Sequence, residues 1–352
     1  MNNIVDKRKL QDFKNITFSK YKKSDVKKEL IKSLVSGKLE DACYWSAEFI
    51  SSGNFLYLWE IFFTVVSKNI HIGNPKLPIY LDMRLDVFKN ILNNGFSDNV
   101  LKMRNSENVR KLFAEVCCVV CYSKKKNSYD IPKIKESDFD FFNLTNKLSA
   151  KNKKLGQQTF KNEDPNEIFI AINELSWNIN HKIKDTINAI YWVEWILEYH
   201  KICKKKKIPK ICARRSYDVE SKFQKEMVWI IWDVILVESK KRGSAVLKIN
   251  TSLLNIFCLK YKESVKFKRK LLIYYAISLL TENYDIQTPI INNTPIVEKI
   301  KSKINLIYKE IKKSEEKPKS DYLFNNSINN NNLEKTINKI DKLNTMTFIP
   351  RN

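Results

Sequence analysis

Lys201, Lys204, Lys205, Lys206, Lys207, Lys210, Arg214 and Arg215 crowd into one stretch, KICKKKKIPKICARR, that contains no acidic residue. Side chains of this type neutralise phosphates and release the counterions condensed around a polyanion. Lysines make point contacts, whereas the Arg214-Arg215 pair can fork onto phosphate oxygens. Two plainer readings of the same stretch are a solvated loop and a nuclear-import signal. A second basic cluster, Lys260, Lys262, Lys266, Lys268, Arg269 and Lys270, marks another helix junction, and Lys124–Lys126 stands at the far end of the matching helix. The expected nucleic-acid-binding set is the first cluster together with Lys266, Lys268, Arg269 and Lys270.

Other chemistry is thinly represented. His200-x-x-Cys203 with Cys212 offers three metal ligands where a structural zinc site needs four. Cys117, Cys118 and Cys121 lie in FAEVCCVVCY, which reads as core. Glu194 and Glu198 share a helix face, and Asp138 and Asp140 alternate in a loop. Acid–base or two-metal catalysis calls for more convergent carboxylates and usually a histidine. The histidines, His71, His181 and His200, sit in no motif, and neither Gly-x-Ser-x-Gly nor His-Glu-x-x-His occurs. No catalytic residue, metal or cofactor is expected.

The elements that carry these residues read as helices. The 352 residues include 6 Gly and 9 Pro, too few turn formers for a barrel or sandwich. Apolar positions recur at three and four residues, which predicts helices over 25–35, 38–52, 54–70, 75–93 and 106–123. A second set is predicted over 165–180, 183–203, 218–241, 244–261 and 265–282, and one more helix over 295–313. The domain reading is an N-terminal extension 1–24, a first helical unit 25–131 and a polar linker 132–163. A second unit 164–286 follows, with a basic insertion 201–222. Beyond it lie an additional helix 287–314 and a low-complexity tail 315–352, expected to be disordered apart from a helix near 332–343.

Formal charge is +24, from 63 basic against 39 acidic residues. Drift towards Lys and Asn codons would explain the lysines better than the imbalance, so a polyanion partner is the functional reading. The 7 cysteines suit reduced, buried thiols of an intracellular protein. MNNIVDKRKLQDFK lacks the apolar region of a secretory signal, and the apolar runs near 227–237 and 271–280 are too short to cross a bilayer.

The two helix sets look like copies. Ala42-x-Tyr44-Trp45 matches Ala189-x-Tyr191-Trp192, Trp59 matches Trp229, and Arg110-Lys111-Leu112 matches Arg269-Lys270-Leu271. Each half closes on Tyr-Asp-Ile, at 129–131 and 284–286, with the landmarks in the same order. Each Tyr-Trp pair is therefore expected to anchor the core of one five-helix copy. Trp45, Trp59, Trp192, Trp229 and Trp232 fall on apolar faces, where core packing is expected rather than base stacking.

From Ser36 to Tyr129 the chain resembles the helical C-terminal collar, or oligomerisation, domain of clamp-loader-like replication-restart AAA+ ATPases. The resemblance rests on Glu40-Asp41-Ala42-Cys43-Tyr44-Trp45, Gly53, Leu56-Tyr57, Ser67-Lys68-Asn69-Ile70 and Asn74-Pro75. Cys121–Tyr129 is similar to that family's Pro-Lys-Ser-Asn-x-x-Tyr segment, without the proline. Such a domain implies oligomer assembly at replication and repair sites. The ATPase core is missing: no Gly-x-x-x-x-Gly-Lys-Ser/Thr occurs, and Ser36-Gly37-Lys38-Leu39 lacks both the upstream glycine and the hydroxyl. In style, with its lysines and asparagine run, the chain resembles proteins of large DNA viruses.

These readings together predict an all-α, non-catalytic accessory protein of DNA replication or repair. Its expected partners are nucleic acid (DNA first), a second copy or a replication protein, with no membrane. The alternative is a helical protein–protein scaffold, in a virion or an assembly complex, whose charge serves solvation.

Overall fold

A computed structural model of the chain describes residues 3–6, 8–94, 100–208, 212–291, 293–316 and 336–340. The described residues are all-α and contain no strand, only an isolated bridge between Ile16 and Lys22. The first helices are α1 (Lys23–Ser36), α2 (Leu39–Ser51), α3 (Phe55–Val65), α4 (Leu77–Asn93), α5 (Val100–Asn105) and α6 (Glu107–Tyr122). After the short α7 (Phe141–Thr145) come α8 (Phe169–Asn178), α9 (Thr186–Lys205), α10 (Val228–Arg242), α11 (Ser244–Cys258), α12 (Val265–Thr281) and α13 (Thr294–Lys312). Local chemistry fixes the ends. Ser106, Asp185 and Asn293 accept N-cap hydrogen bonds at the starts of α6, α9 and α13. Gly37 closes α1 at φ +73°, the left-handed conformation a helix C-terminus favours.

Two compact units emerge: residues 1–66, 83–125 and 289–352 form one, and residues 67–82 and 126–288 the other. These boundaries differ from those read in the sequence. The segment 67–82 packs with the second half of the chain, as does the 132–163 stretch. The additional helix belongs to the first unit, because α13 lies against α6 and α2. It turns Val297, Ile300, Ile304, Tyr308 and Ile311 inward at helical spacing. The N-terminal extension is also part of that unit: Phe13 and Phe18 are fully buried, beneath the Arg8 guanidinium. Most of the tail lies outside the described residues; within it, 336–340 is helical and Ile340 is buried.

Within the first unit Trp59 is enclosed by Phe62, Phe63, Phe88 and Phe113. In the second, Trp229 and Trp232 pack on Phe257, and Trp192 meets Trp195. Trp45 and Trp192 are 2% and 1% exposed, so both rings are core. The Tyr-Trp neighbours adopt the same edge-to-face arrangement in each unit, 5.2 Å at 90° for Tyr44–Trp45 and 5.3 Å at 82° for Tyr191–Trp192. Tyr44 is buried, whereas Tyr191 is half-buried.

The predicted helix 54–70 breaks early. α3 ends at Val65, a π turn occupies Val66–Ile70, and a 3-10 turn follows at His71–Gly73. His71 takes φ +47°, a strained conformation for a non-glycine residue, and its buried ring stacks on Tyr275 at 4.9 Å. The predicted helix 218–241 starts late, at Val228, because 212–224 runs alongside itself instead. Cys212 N–H donates to Lys225 O and Arg215 N–H to Gln224 O.

Candidate nucleic-acid interface

The first basic cluster forms the C-terminal end of α9. Lysines suit this position, because the last turn of a helix carries partial negative charge. The helix stops where Lys207 turns left-handed at φ +53°, and Ile208 N–H reaches back to Cys203 O at 2.9 Å. Lys205, Lys206 and Lys207 are exposed just beyond the last apolar contact, and Arg214 is exposed across the loop. Lys201 and Lys204 are exposed too, but each holds a carboxylate: Lys201 pairs with Glu198 at 2.9 Å and Lys204 with Glu263. Lys210 lies outside the described residues.

Lys204 joins the two predicted clusters. Its partner Glu263 stands just ahead of α12, so the end of α9 meets the head of the helix that carries Lys266, Lys268, Arg269 and Lys270. Only Lys268 of those four is exposed. Lys266 is 1% exposed, bonded to Glu226 at 2.7 Å and set 3.4 Å from a His200 ring nitrogen. Arg269 is buried and donates to the carbonyls of Ile256, Phe257 and Leu259, which end α11. Lys270 is half-buried on Glu194 at 2.7 Å, a carboxylate that also accepts from the Tyr274 hydroxyl.

Arg215 is the largest correction. It was expected to fork onto phosphate, yet it is 3% exposed and forks onto protein instead. Its guanidinium donates twice to Asp164, at 2.7 and 2.8 Å, and once to Asp233, with further bonds to the carbonyls of Thr159 and Ala213. Burial pushes Asp164 up, but Arg215 and two backbone donors more than offset it and hold the carboxyl below its usual range. Arg215, Lys266 and Arg269 are thus structural cations, unavailable to an external phosphate. What remains open to a polyanion is Lys205, Lys206, Lys207, Arg214 and Lys268, with the tethered Lys201 and Lys204. Exposed Lys161 reaches Arg214 O with its ammonium at 3.2 Å, and exposed Lys225 lies where the chain folds back, its carbonyl accepting from Cys212 N–H. Both were invisible to a search for sequence clusters, since folding alone brings them alongside.

Several of the remaining candidates have structural partners. Cys203 is buried at the end of α9, beside Tyr199, and Cys212 is buried below the Arg215 cluster. Glu198 holds Lys201, and Asp138 holds Lys147 at 3.2 Å. Among the described residues no helix is long and apolar enough to cross a membrane.

Two histidines give the fold a pH signature. Burial first, then the Lys266 ammonium, hold His200 down at about 4. Burial chiefly holds His71 at about 4, with Lys126 pushing down and Glu282 pulling up. An unfolded histidine takes its proton near 6.5, so between about pH 6.5 and 4 the unfolded chain binds protons that the fold refuses. Stability is therefore complete above that window and falls as pH drops through it. Urea midpoints should decline from about pH 7 to 4.5, less steeply in a His71→Phe chain; a flat wild-type profile contradicts this.

Compared with family models, with curated proteins and with solved structures, the chain matches none.

Proposed function

We propose that the chain is a non-catalytic accessory protein of DNA replication or repair that holds nucleic acid on the exposed end of α9. The observation that carries this reading is Lys205-Lys206-Lys207, facing solvent next to the head of α12 and, among the described residues, holding no carboxylate as Lys201 and Lys204 do. The surplus of 63 basic over 39 acidic residues adds a long-range attraction. Its role inside the cell suits seven free cysteines, all buried.

The scaffold behind the patch is, on this reading, a duplicated collar-like bundle open to a second copy or a replication protein. Several likenesses support duplication. The Tyr-Trp pairs share their geometry. Helix pairs α1–α2, α1–α3, α2–α3 and α2–α6 have counterparts in α8–α9, α8–α10, α9–α10 and α9–α12. Arg110, like Arg269, is buried and donates to a carbonyl at the end of the preceding helix, that of Arg104.

Fluorescence anisotropy with labelled single- and double-stranded DNA tests the assignment. The Lys205→Gln, Lys206→Gln, Lys207→Gln, Arg214→Gln variant should bind at least about tenfold more weakly, since each lost phosphate contact gives up counterion release. Unchanged affinity moves the site elsewhere, and no binding at low salt ends the reading. A second reading, a protein–protein scaffold, draws on Met83 and Val87, exposed four residues apart on α4. Oligomers that form without nucleic acid and ignore the four substitutions would favour it.

A further inference from the structure

Tyr191, Trp195 and Tyr199 recur every four residues along α9, and the structure gathers further rings on them. Trp195 and Tyr199 stack at 5.4 Å and 6°, and Phe139 lies on both, at 5.0 and 6.1 Å. Trp195 is buried and donates to Asp138 O at 2.9 Å, which pins the Phe139 segment in place. Tyr191, Tyr199 and Phe139 are only half-buried, unlike the tryptophans of the cores.

At the foot of this ladder lies an open cleft of about 480 Å³, within the size range of small-ligand sites. Tyr129 and Tyr191 supply its aromatic walls, and Asn146, Asn188 and Asp130 its polar ones. The Lys147 ammonium sits 4.1 Å from the Tyr191 ring centroid. Asp130 offsets the attraction that Lys147, already held by Asp138, would offer a phosphate. A carboxylate, the Asn146 amide and the Asn188 carbonyl oxygen, whose Nδ2–H is taken by Asp185, line the cleft with the aromatic rings and match the hydrogen-bonding edge and flat faces of a base instead.

The same helix leads from the cleft to the basic patch. Lys205 follows Tyr191 by fourteen residues, which places it about 21 Å up the axis and within about 40° of the same face. That span equals roughly six nucleotides of a stacked strand. The acidic side chains of α9 beyond Tyr191 are both engaged, Glu194 by Lys270 and Tyr274 and Glu198 by Lys201.

We propose that the cleft takes an unpaired base and that α9 carries the attached strand to Lys205–Lys207, making single-stranded nucleic acid the preferred ligand. This inference rests on the nucleic-acid reading above. Stacking requires bases free of a partner strand, so a duplex can use the lysines but not the cleft.

The test uses the full chain, an oligothymidylate of about twelve nucleotides, the same oligomer with abasic sites, and a duplex of that length. The intact single strand should bind about tenfold more tightly than the abasic one, and more tightly than the duplex. Ile187, 69% exposed at the cleft wall, can be changed without touching a core. Ile187→Glu should abolish the preference for intact bases while leaving abasic binding within about twofold. Equal binding of intact and abasic strands, or tighter binding of the duplex, overturns this inference and leaves the lysine patch standing. Failure to bind any of the three at about 50 mM salt overturns the underlying reading, and this inference with it.

Discussion

Arg215→Ala should cost about 3–5 kcal/mol of stability, the range for removing one partner of a buried ion pair. The guanidinium is 3% exposed and ties Asp164 to Asp233 while satisfying two backbone carbonyls. Its loss strands a carboxylate that cannot reach water, since the Asp164 side chain is fully buried. Exposed Arg214, its neighbour in sequence, should change stability by less than about 0.5 kcal/mol on the same substitution. Urea unfolding followed by tryptophan fluorescence separates the two residues. Similar midpoints for both variants would contradict the placement of Arg215 inside the fold. The network also sets an acid limit. With the Asp164 pKa depressed, its stabilisation is complete above the unfolded carboxylate range and is lost as pH falls through the folded value.

Trp45→Ala and Trp192→Ala should each cost about 3–5 kcal/mol, the usual loss when a large aromatic is truncated in a packed core. Trp45 touches Tyr21 and Tyr44, and Trp192 touches Tyr191 and Trp195, with almost no surface left to water. The chain divides into two compact units, so each variant should lower the unfolding of its own unit first. Denaturation curves that coincide with the wild type for either variant would remove that ring from the core. A loss of similar size at both sites is what duplicated anchors require.

Much of the architecture was legible because helical periodicity survives wherever one face is buried. α2, α6 and α13 lie within one or two residues of their expected bounds. The π turn at Val66–Ile70 gave no warning, since Val-Ser-Lys-Asn-Ile continues a helical pattern and only tertiary packing unwinds it. The grouping of α13 with the first unit was equally hidden: an amphipathic stripe shows that a helix will pack, not where.

The site divides along the same line. The exposure of lysines 205–207 could be read in advance because a basic run without acids is local information. Arg215, Lys266 and Arg269 were misassigned because what neutralises them is distant in sequence. Asp164 lies 51 residues from Arg215, and Glu226 lies 40 from Lys266. Arg269 meets backbone carbonyls, which no charge count contains. The half-exposed rings of α9 were concealed by their own hydrophobic period, which reads the same for a core face and for a stacking ladder.

The salt dependence of oligonucleotide binding tests the central claim most directly. For a single strand, each neutralised phosphate contributes about −0.7 to the slope of log K against log salt concentration. The wild-type chain should give a steep linear fall, and neutralising Lys205, Lys206, Lys207 and Arg214 together should flatten it by roughly 3. Identical slopes for the two proteins, or a wild-type affinity indifferent to salt, would show that the end of α9 does not meet phosphate.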